Sequence, residues 1–316
     1  MSKEISFDNT QIAFSGMSNA DLTRAYWLFK VINVNFVVQV GPPITNFAVK
    51  IGLPITGIIR ATIFKHFCGG ESIQDCANRI EHLGKYKIGT ILDYSVEGEA
   101  TEAAFDATTE ETIATIKRAK SDSNIPFSVF KVTGVARFGL LEKLDAKEAL
   151  NFEEQKEYER VKDRIKRICQ TAHDLDVRIF IDAEETWIQD TIDQLAADMM
   201  RLFNKNKVIV YNTIQFYRHD RLEFLKQSHQ ALTSEGIYVG IKLVRGAYME
   251  KERKRALENG YASPIQVDKA SSDRDYDAGL KYCVEHIENM AICAGTHNEN
   301  SSRLLMNLMA EKGLAK

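Results

Sequence analysis

From residue 89 onward, apolar or β-branched runs alternate with helix-period segments. The runs fall at 90–96, 127–135, 178–183, 207–215, 237–244 and 290–296, and a helical pattern follows each. Repeats of this kind predict βα units built around a parallel sheet. After the first run, Thr108 and Glu111 read as a capping box, ahead of Ile113 and Ile116 on one face. A longer helix is predicted from Phe152, Tyr158, Val161, Ile165, Ile168, Ala172 and Leu175, whose spacing gives an amphipathic stripe. These stripes are structural.

The region before them has a different pattern. Residues 1–84 read as a helical arm with helices at 21–36, 45–67 and 72–83, and residues 85–316 as the βα domain. The arm's apolar surface is expected to cover the βα domain, with a peripheral membrane contact as the alternative. The opening MSKEISFDNT is too polar for a signal peptide. The apolar stretch 31–49 is broken by Asn33, Asn35, Gln39, Gly41 and two prolines, so no membrane span is expected there.

No GxGxxG turn follows any strand, so a dinucleotide-binding open sheet is disfavoured and an α/β barrel of the (β/α)8 TIM type is expected. Six of its strands can be counted. Composition adds exclusions: the chain has 316 residues, 44% hydrophobic, with a formal charge of −3, and its basic residues are interleaved with acids. That gives no footprint for nucleic acid. The cysteines (Cys68, Cys76, Cys169, Cys283 and Cys293) form no CxxC pair, so a reducing, cytoplasmic setting is expected, with neither a zinc ribbon nor a disulfide framework.

Candidate chemistry sits at the strand ends. GIKLVRGAYMEKERKRA, residues 240–256, reads as a buried strand, a glycine turn and a charged helix. Lys242 and Arg245 place cations at the strand's C-terminal end, and Gly246 permits close approach of a backbone or ligand, which suits an anionic cofactor. Taken alone, such a turn is as readily a plain strand ending as a ligand site. Lys131, near the end of the second strand, would be an ordinary edge residue in an open sheet; in a barrel interior it needs an anionic partner, and Asp182 is the natural candidate. Glu184 and Glu185 extend that acidic cluster, so a metal site is a rival reading. No histidine pair accompanies it: His173, His219 and His229 share no spacing and read as surface residues, so no metal is expected.

KLVRGAY (242–248), FIDAEE (180–185), YNTIQFY (211–217) and THNE (296–299), in this order, resemble proline dehydrogenase. The resemblance runs from about residue 91 to 299 and is nearest to the monofunctional and eukaryotic type, which also carries Lys and Arg in KLVRGAY. It implies FAD held on a (β/α)8 barrel. Carried over residue by residue, Lys131 contacts the substrate carboxylate and Asp182 orients the pocket's cations. Gln215 meets the flavin ring edge, Lys242 stands near flavin N5, and Val244, Gly246 and Ala247 supply close-packed backbone. His297 and Asn298 face the cofactor's phosphates and ribityl chain, Tyr248 forms a wall beside the substrate, and Glu99 gates the pocket. The family continues into a tyrosine-bearing strand end and a helix with paired arginines, which are not found by Lys316, so the chain reads as a C-terminally truncated member. The implied reaction is hydride transfer from L-proline to the flavin, giving Δ1-pyrroline-5-carboxylate, with electrons passed to a membrane quinone and the protein peripheral at the inner face of a membrane. Two other readings stay open: a Schiff-base lyase or aldolase using Lys131 or Lys242, and a flavin-binding protein without turnover.

Overall fold

The computed structural model describes residues 6–34, 40–41, 43, 45, 50–51, 54–94 and 100–314. The chain divides into two compact units, Met1–Thr90 and Ile91–Lys316.

The first unit is helical in its described parts. Asn19–Ile32 starts at Ser18, whose hydroxyl accepts from the Asp21 amide at 3.1 Å, and stops at Asn33, short of the expected residue 36. Thr56–Ile59 runs through a π-helical turn, Arg60–Phe64, into Lys65–Phe67. The rest of the expected 45–67 helix falls partly outside the described residues. The last helix, Ala77–Gly84, begins later than expected because Ser72 and Asp75 close a turn, with Asp75 N donating to Ser72 Oγ at 3.2 Å. Tyr26, Trp27 and Phe29 are exposed, and the Lys30 ammonium lies over the Tyr26 and Trp27 rings. Among the described residues, no helix is long and apolar enough to cross a membrane.

The second unit is a curled parallel sheet. β1 (Ile91–Leu92), β2 (Phe127–Lys131), β3 (Arg178–Asp182), β4 (Val210–Gln215), β5 (Val239–Val244) and β6 (Met290–Ala294) pair in sequential order. Each βα unit therefore adds the next stave of a barrel, whereas a doubly wound sheet would reverse its order partway. The helices are α1 (Glu102–Lys120), α2 (Phe138–Asp145), α3 (Phe152–Asp174), α4 (Thr186–Phe203), α5 (Arg221–Ser234), α6 (Met249–Asn259), α7 (Lys269–Glu285) and α8 (Glu299–Glu311).

Three expectations need correction. β2 stops at Lys131, because Val132–Gly134 turn as a 3-10 helix. Thr108 and Glu111 do not cap α1: Thr101 does, accepting from Ala104 N at 3.2 Å. Thr108, Thr109, Thr112 and Thr115 instead form a buried face, and Thr115 Oγ1 meets Ser128 Oγ of β2 at 3.0 Å. The capping box lies on α3, between Asn151 and Glu154. On α3 the stripe buries Val161, Ile165, Ile168 and Ala172, but Phe152 is 68% exposed under the Lys156 ammonium, since it stands on the first turn, beyond the packed face.

Strand alternation sends Ile179, Ile181, Ile214, Ile241 and Leu243 to the helix-covered side, where all are buried. On the concave side the register builds layers. Val129, Phe180 and Tyr211 form an apolar floor with Ala291 packed against it, and the Phe127 and Phe180 rings stack at 4.5 Å. Gly240 makes room for that floor, because a Cβ there would stand 2.8 Å from Tyr211 Cγ and 2.5 Å from Val210 O. One layer nearer the strands' C-terminal ends, Lys131 faces Asp182, Thr213 faces Lys242, and Lys242 faces Cys293. Polar side chains thus sit on an apolar floor.

Candidate active site

A cleft of about 550 Å³ opens at the C-terminal ends of β2 to β6. Its walls include Lys131, Asp182, Gln215, Lys242, Val244, Gly246, Ala247, Tyr248, His297 and Asn298, together with Asp93, Thr213, Lys269 and Thr296. Ten of the eleven residues singled out in the sequence are thereby brought together. Glu99 lies outside the described residues.

The electrostatic centre differs from the sequence expectation. Asp182 Oδ1 accepts from Lys242 Nζ at 2.6 Å and from Thr213 Oγ1 at 3.2 Å. Its ion pair therefore spans β3 to β5, correcting the assignment of Asp182 to Lys131. The reason is the register: Lys242 reaches back over Thr213, and its ammonium lies 5.1 Å from the Phe180 ring centroid. Lys131 stands beside Asp182 on β2 and faces the same cleft.

The acids after Asp182 act as struts between strand-end loops. Glu184 accepts from Thr133 N at 3.0 Å and from the Thr133 hydroxyl at shorter range. Glu185 pairs with Lys251 of α6. Thr186 donates from N and Oγ1 to Glu252, a fully buried carboxylate of α6, at 2.7 and 2.6 Å. The loop following β3 is thus fastened to the end of β2 and to α6. This removes the acids from any shared metal cage, and among the described residues no group of three or more His, Cys, Asp or Glu side chains could hold a metal ion. Burial pushes the Glu184 carboxyl up to about 7 against the opposing Thr133 hydrogen bonds.

Arg245 and Gly246 also read differently in three dimensions. The Arg245 guanidinium lines the cleft and is also tied into the fold, reaching Asp273 at 2.6 Å, Thr296 Oγ1 at 2.9 Å and Ser301 Oγ at 2.9 Å, with its plane over Tyr276. It binds the end of β5 to α7, to the loop after β6 and to α8. Gly246 has φ +126°, and a Cβ there would stand 2.5 Å from the Tyr217 ring, so the close approach is made by Tyr217. His229 is corrected as well: it is buried, with Nδ1 2.8 Å from Tyr282 Oη and Nε2 2.9 Å from Asn289 Oδ1, joining α5 to α7 and the loop after it.

The cleft has the donor set for a flavin. Gln215 is 2% exposed, and among the described residues its buried Oε1 has no hydrogen-bond partner, which suits an N–H at a flavin ring edge. Lys242 supplies a cation held in place by Asp182. Asn298 caps α8, accepting from Ser301 N at 3.1 Å, and so commits its carbonyl oxygen while the amide nitrogen keeps its donors. Thr213 and Thr296 were missed in the sequence. Thr213 had a signal, standing two residues before Gln215 and hence on the same strand face; Thr296 had one in opening THNE, but its bond to Arg245 could be seen only in three dimensions.

Comparison with known proteins bears on the family and the fold. The family model described as proline dehydrogenase matches residues 76–316. The carbapenem antibiotics biosynthesis protein CarD of Pectobacterium carotovorum subsp. carotovorum is 32% identical over 241 residues, covering 76% of this chain and 63% of that protein. Proline dehydrogenase 1, mitochondrial, of Dictyostelium discoideum is 27% identical over 348 residues, covering 96% and 61%. The chain thus spans under two-thirds of the length of these two relatives. Among solved structures, proline utilization A (PutA) from Bdellovibrio bacteriovorus, inactivated by N-propargylglycine, superposes with a TM-score of 0.70 at 19% identity, covering 97% of this chain and 33% of that one, which establishes a shared fold. With a family match over most of its length and a sequential parallel barrel sheet, the chain belongs to the proline dehydrogenase family.

Proposed function

We infer that the barrel unit binds FAD and oxidises L-proline to Δ1-pyrroline-5-carboxylate, the first step of proline catabolism. The observation that carries this reading is the convergence of Lys131, the Asp182–Lys242 pair and Gln215 Oε1, unpartnered among the described residues, on one cleft above an apolar floor. A bound flavin supplies a two-electron acceptor for hydride. The protein's part is to place the substrate. Lys131 takes the carboxylate, and Tyr248 flanks the ring. Lys242, oriented by Asp182, would set a positive charge beside the flavin ring, and Gln215 would accept a hydrogen bond from the ring edge. His297 and the Asn298 amide serve the ribityl and phosphate end. The substrate amine reacts in its neutral form: the carbon next to nitrogen loses hydride, nitrogen loses its proton to solvent, and the C=N bond forms. A membrane quinone would serve as the electron acceptor, and exposed Tyr26, Trp27 and Phe29 suit a peripheral membrane contact.

The test is the visible spectrum of the purified protein under anaerobic conditions. Flavin absorbance that bleaches on adding L-proline, more slowly with trans-4-hydroxy-L-proline, supports the reading. Yellow protein indifferent to both amino acids would leave a flavin-binding protein, and colourless protein trapped by borohydride with a keto acid would leave the Schiff-base reading.

A further inference from the structure

Glu184 lies one layer above Asp182, is 3% exposed, and has no part in the reaction just described. Both of its carboxylate oxygens are committed to a single residue, Thr133, one to the amide and one to the hydroxyl. The positions correspond. Thr133 follows Lys131 by two residues in the 3-10 turn that ends β2, Glu184 follows Asp182 by two, and Lys131 and Asp182 are direct register partners. On its other side Glu184 is anchored to α4. Its amide donates to Gln189 Oε1 at 2.8 Å, Gln189 Nε2 donates to Asp193 Oδ1 at 2.9 Å, and Asp193 receives Asn212 Nδ2 at 2.8 Å and Arg221 Nη1 at 2.7 Å.

A buried carboxylate is an expensive way to join two strands, since packed apolar side chains would do so at lower cost. What the carboxylate adds is direction. Two hydrogen bonds to one residue fix both the position and the rotation of the turn that begins immediately after Lys131, and a strand that passes into a 3-10 turn has no ladder beyond that point to hold it. Resting on the reading of Lys131 as the partner of the substrate carboxylate, we propose that Glu184 and Thr133 form a clamp that positions Lys131 in the cleft. Both are positioning residues, acting through Lys131 and touching neither substrate nor cofactor.

The experiment uses the full chain loaded with FAD. Thr133→Val keeps the side-chain shape and removes the hydroxyl, and Thr133→Ser restores the hydroxyl without the methyl group. Two quantities are read: kcat and KM for L-proline, and the rate at which acetic anhydride acylates Lys131 relative to Lys242, followed by mass spectrometry. Thr133→Val should raise KM about tenfold with kcat within about twofold and change the labelling ratio by at least about threefold, and Thr133→Ser should restore both. If Thr133→Val does not fold, Glu184→Gln, which keeps the volume and one Thr133 contact, should raise KM by about threefold. An unchanged labelling ratio overturns the clamp. A changed ratio with parental KM overturns its link to substrate, and a failed serine rescue assigns the effect to the methyl group's packing and overturns it too. A parent protein that does not oxidise proline overturns the functional reading instead, leaving the labelling ratio to decide the clamp.

Discussion

Lys242 and Asp182 form a 2.6 Å ion pair across the concave face of the sheet, joining β5 to β3 over the intervening Thr213. Both side chains remain about one-fifth exposed, through the cleft they line. The pair therefore combines two properties: Asp182 fixes the cation's position, and the cleft leaves its field available to a ligand.

Replacing Lys242 by Met should lower FAD occupancy, or make the potential of bound flavin more negative by about 30 mV, which corresponds to about 1.4 kcal/mol for a two-electron couple. Asp182 would lose its ion pair with Lys242, so unfolding free energy should fall by about 1–3 kcal/mol, less than for a pair fully removed from solvent. Flavin absorbance and a redox titration read the first effect, and denaturant unfolding reads the second. Parental occupancy together with a parental potential would take Lys242 out of the cofactor site.

Lys131→Met should weaken a proline-like carboxylate ligand by about 1.5–3 kcal/mol, the range for a hydrogen bond to a charged group, while leaving flavin bound. Asp182→Asn should weaken the same ligand by freeing Lys242 to reorient. Titration of the flavin spectrum with the ligand measures both. If both variants bind as the parent does, the carboxylate is held elsewhere.

Glu184 gives a pH dependence of stability with a definite sign. Its folded carboxyl is raised to about 7 from the ordinary 4.5 by burial, so between those values the folded chain holds a proton that the unfolded chain has released. This contribution is complete below 4.5 and is lost as pH rises through 7. Glu184→Gln cannot ionise, so between pH 5 and pH 8 its stability relative to the parent should improve by on the order of 2 kcal/mol. Denaturant midpoints at the two pH values give the comparison, and a difference that does not move with pH would exclude a raised Glu184 carboxyl.

Gly246→Ala should be costly for two reasons at once. The backbone there has φ +126°, and the added Cβ would meet the Tyr217 ring, which is itself buried. A loss of about 2–4 kcal/mol is expected, with reduced flavin binding because the turn carries Ala247 and Tyr248. Gly260→Ala is the control: φ is +71° but the space around it is open, so about 1 kcal/mol is expected. Equal effects at both positions would mean that Tyr217 yields.

The amino-acid sequence by itself determined the succession of strands and helices, because β3 and β5 carry short apolar runs, β4 begins within the run 208–211, and α3 shows a period-3.6 stripe. It also determined which strand ends carry chemistry, since Lys131, Asp182, Gln215 and Lys242 stand at the C-terminal ends of strands, where a parallel barrel builds its sites. Partners were beyond its reach. Which carboxylate meets Lys242 depends on inter-strand register and on a side chain long enough to pass over Thr213, and residues 182 and 242 are linked by nothing local. The same holds for Arg245, which lines the cleft and is also held by Asp273, Thr296 and Ser301, and for Gly246, whose missing Cβ answers to Tyr217. Glu184 and Glu185 resembled a metal cluster as neighbours in the chain, but beyond a strand end consecutive residues diverge toward different elements, and only the packed structure decided that one fastens β2 and the other α6.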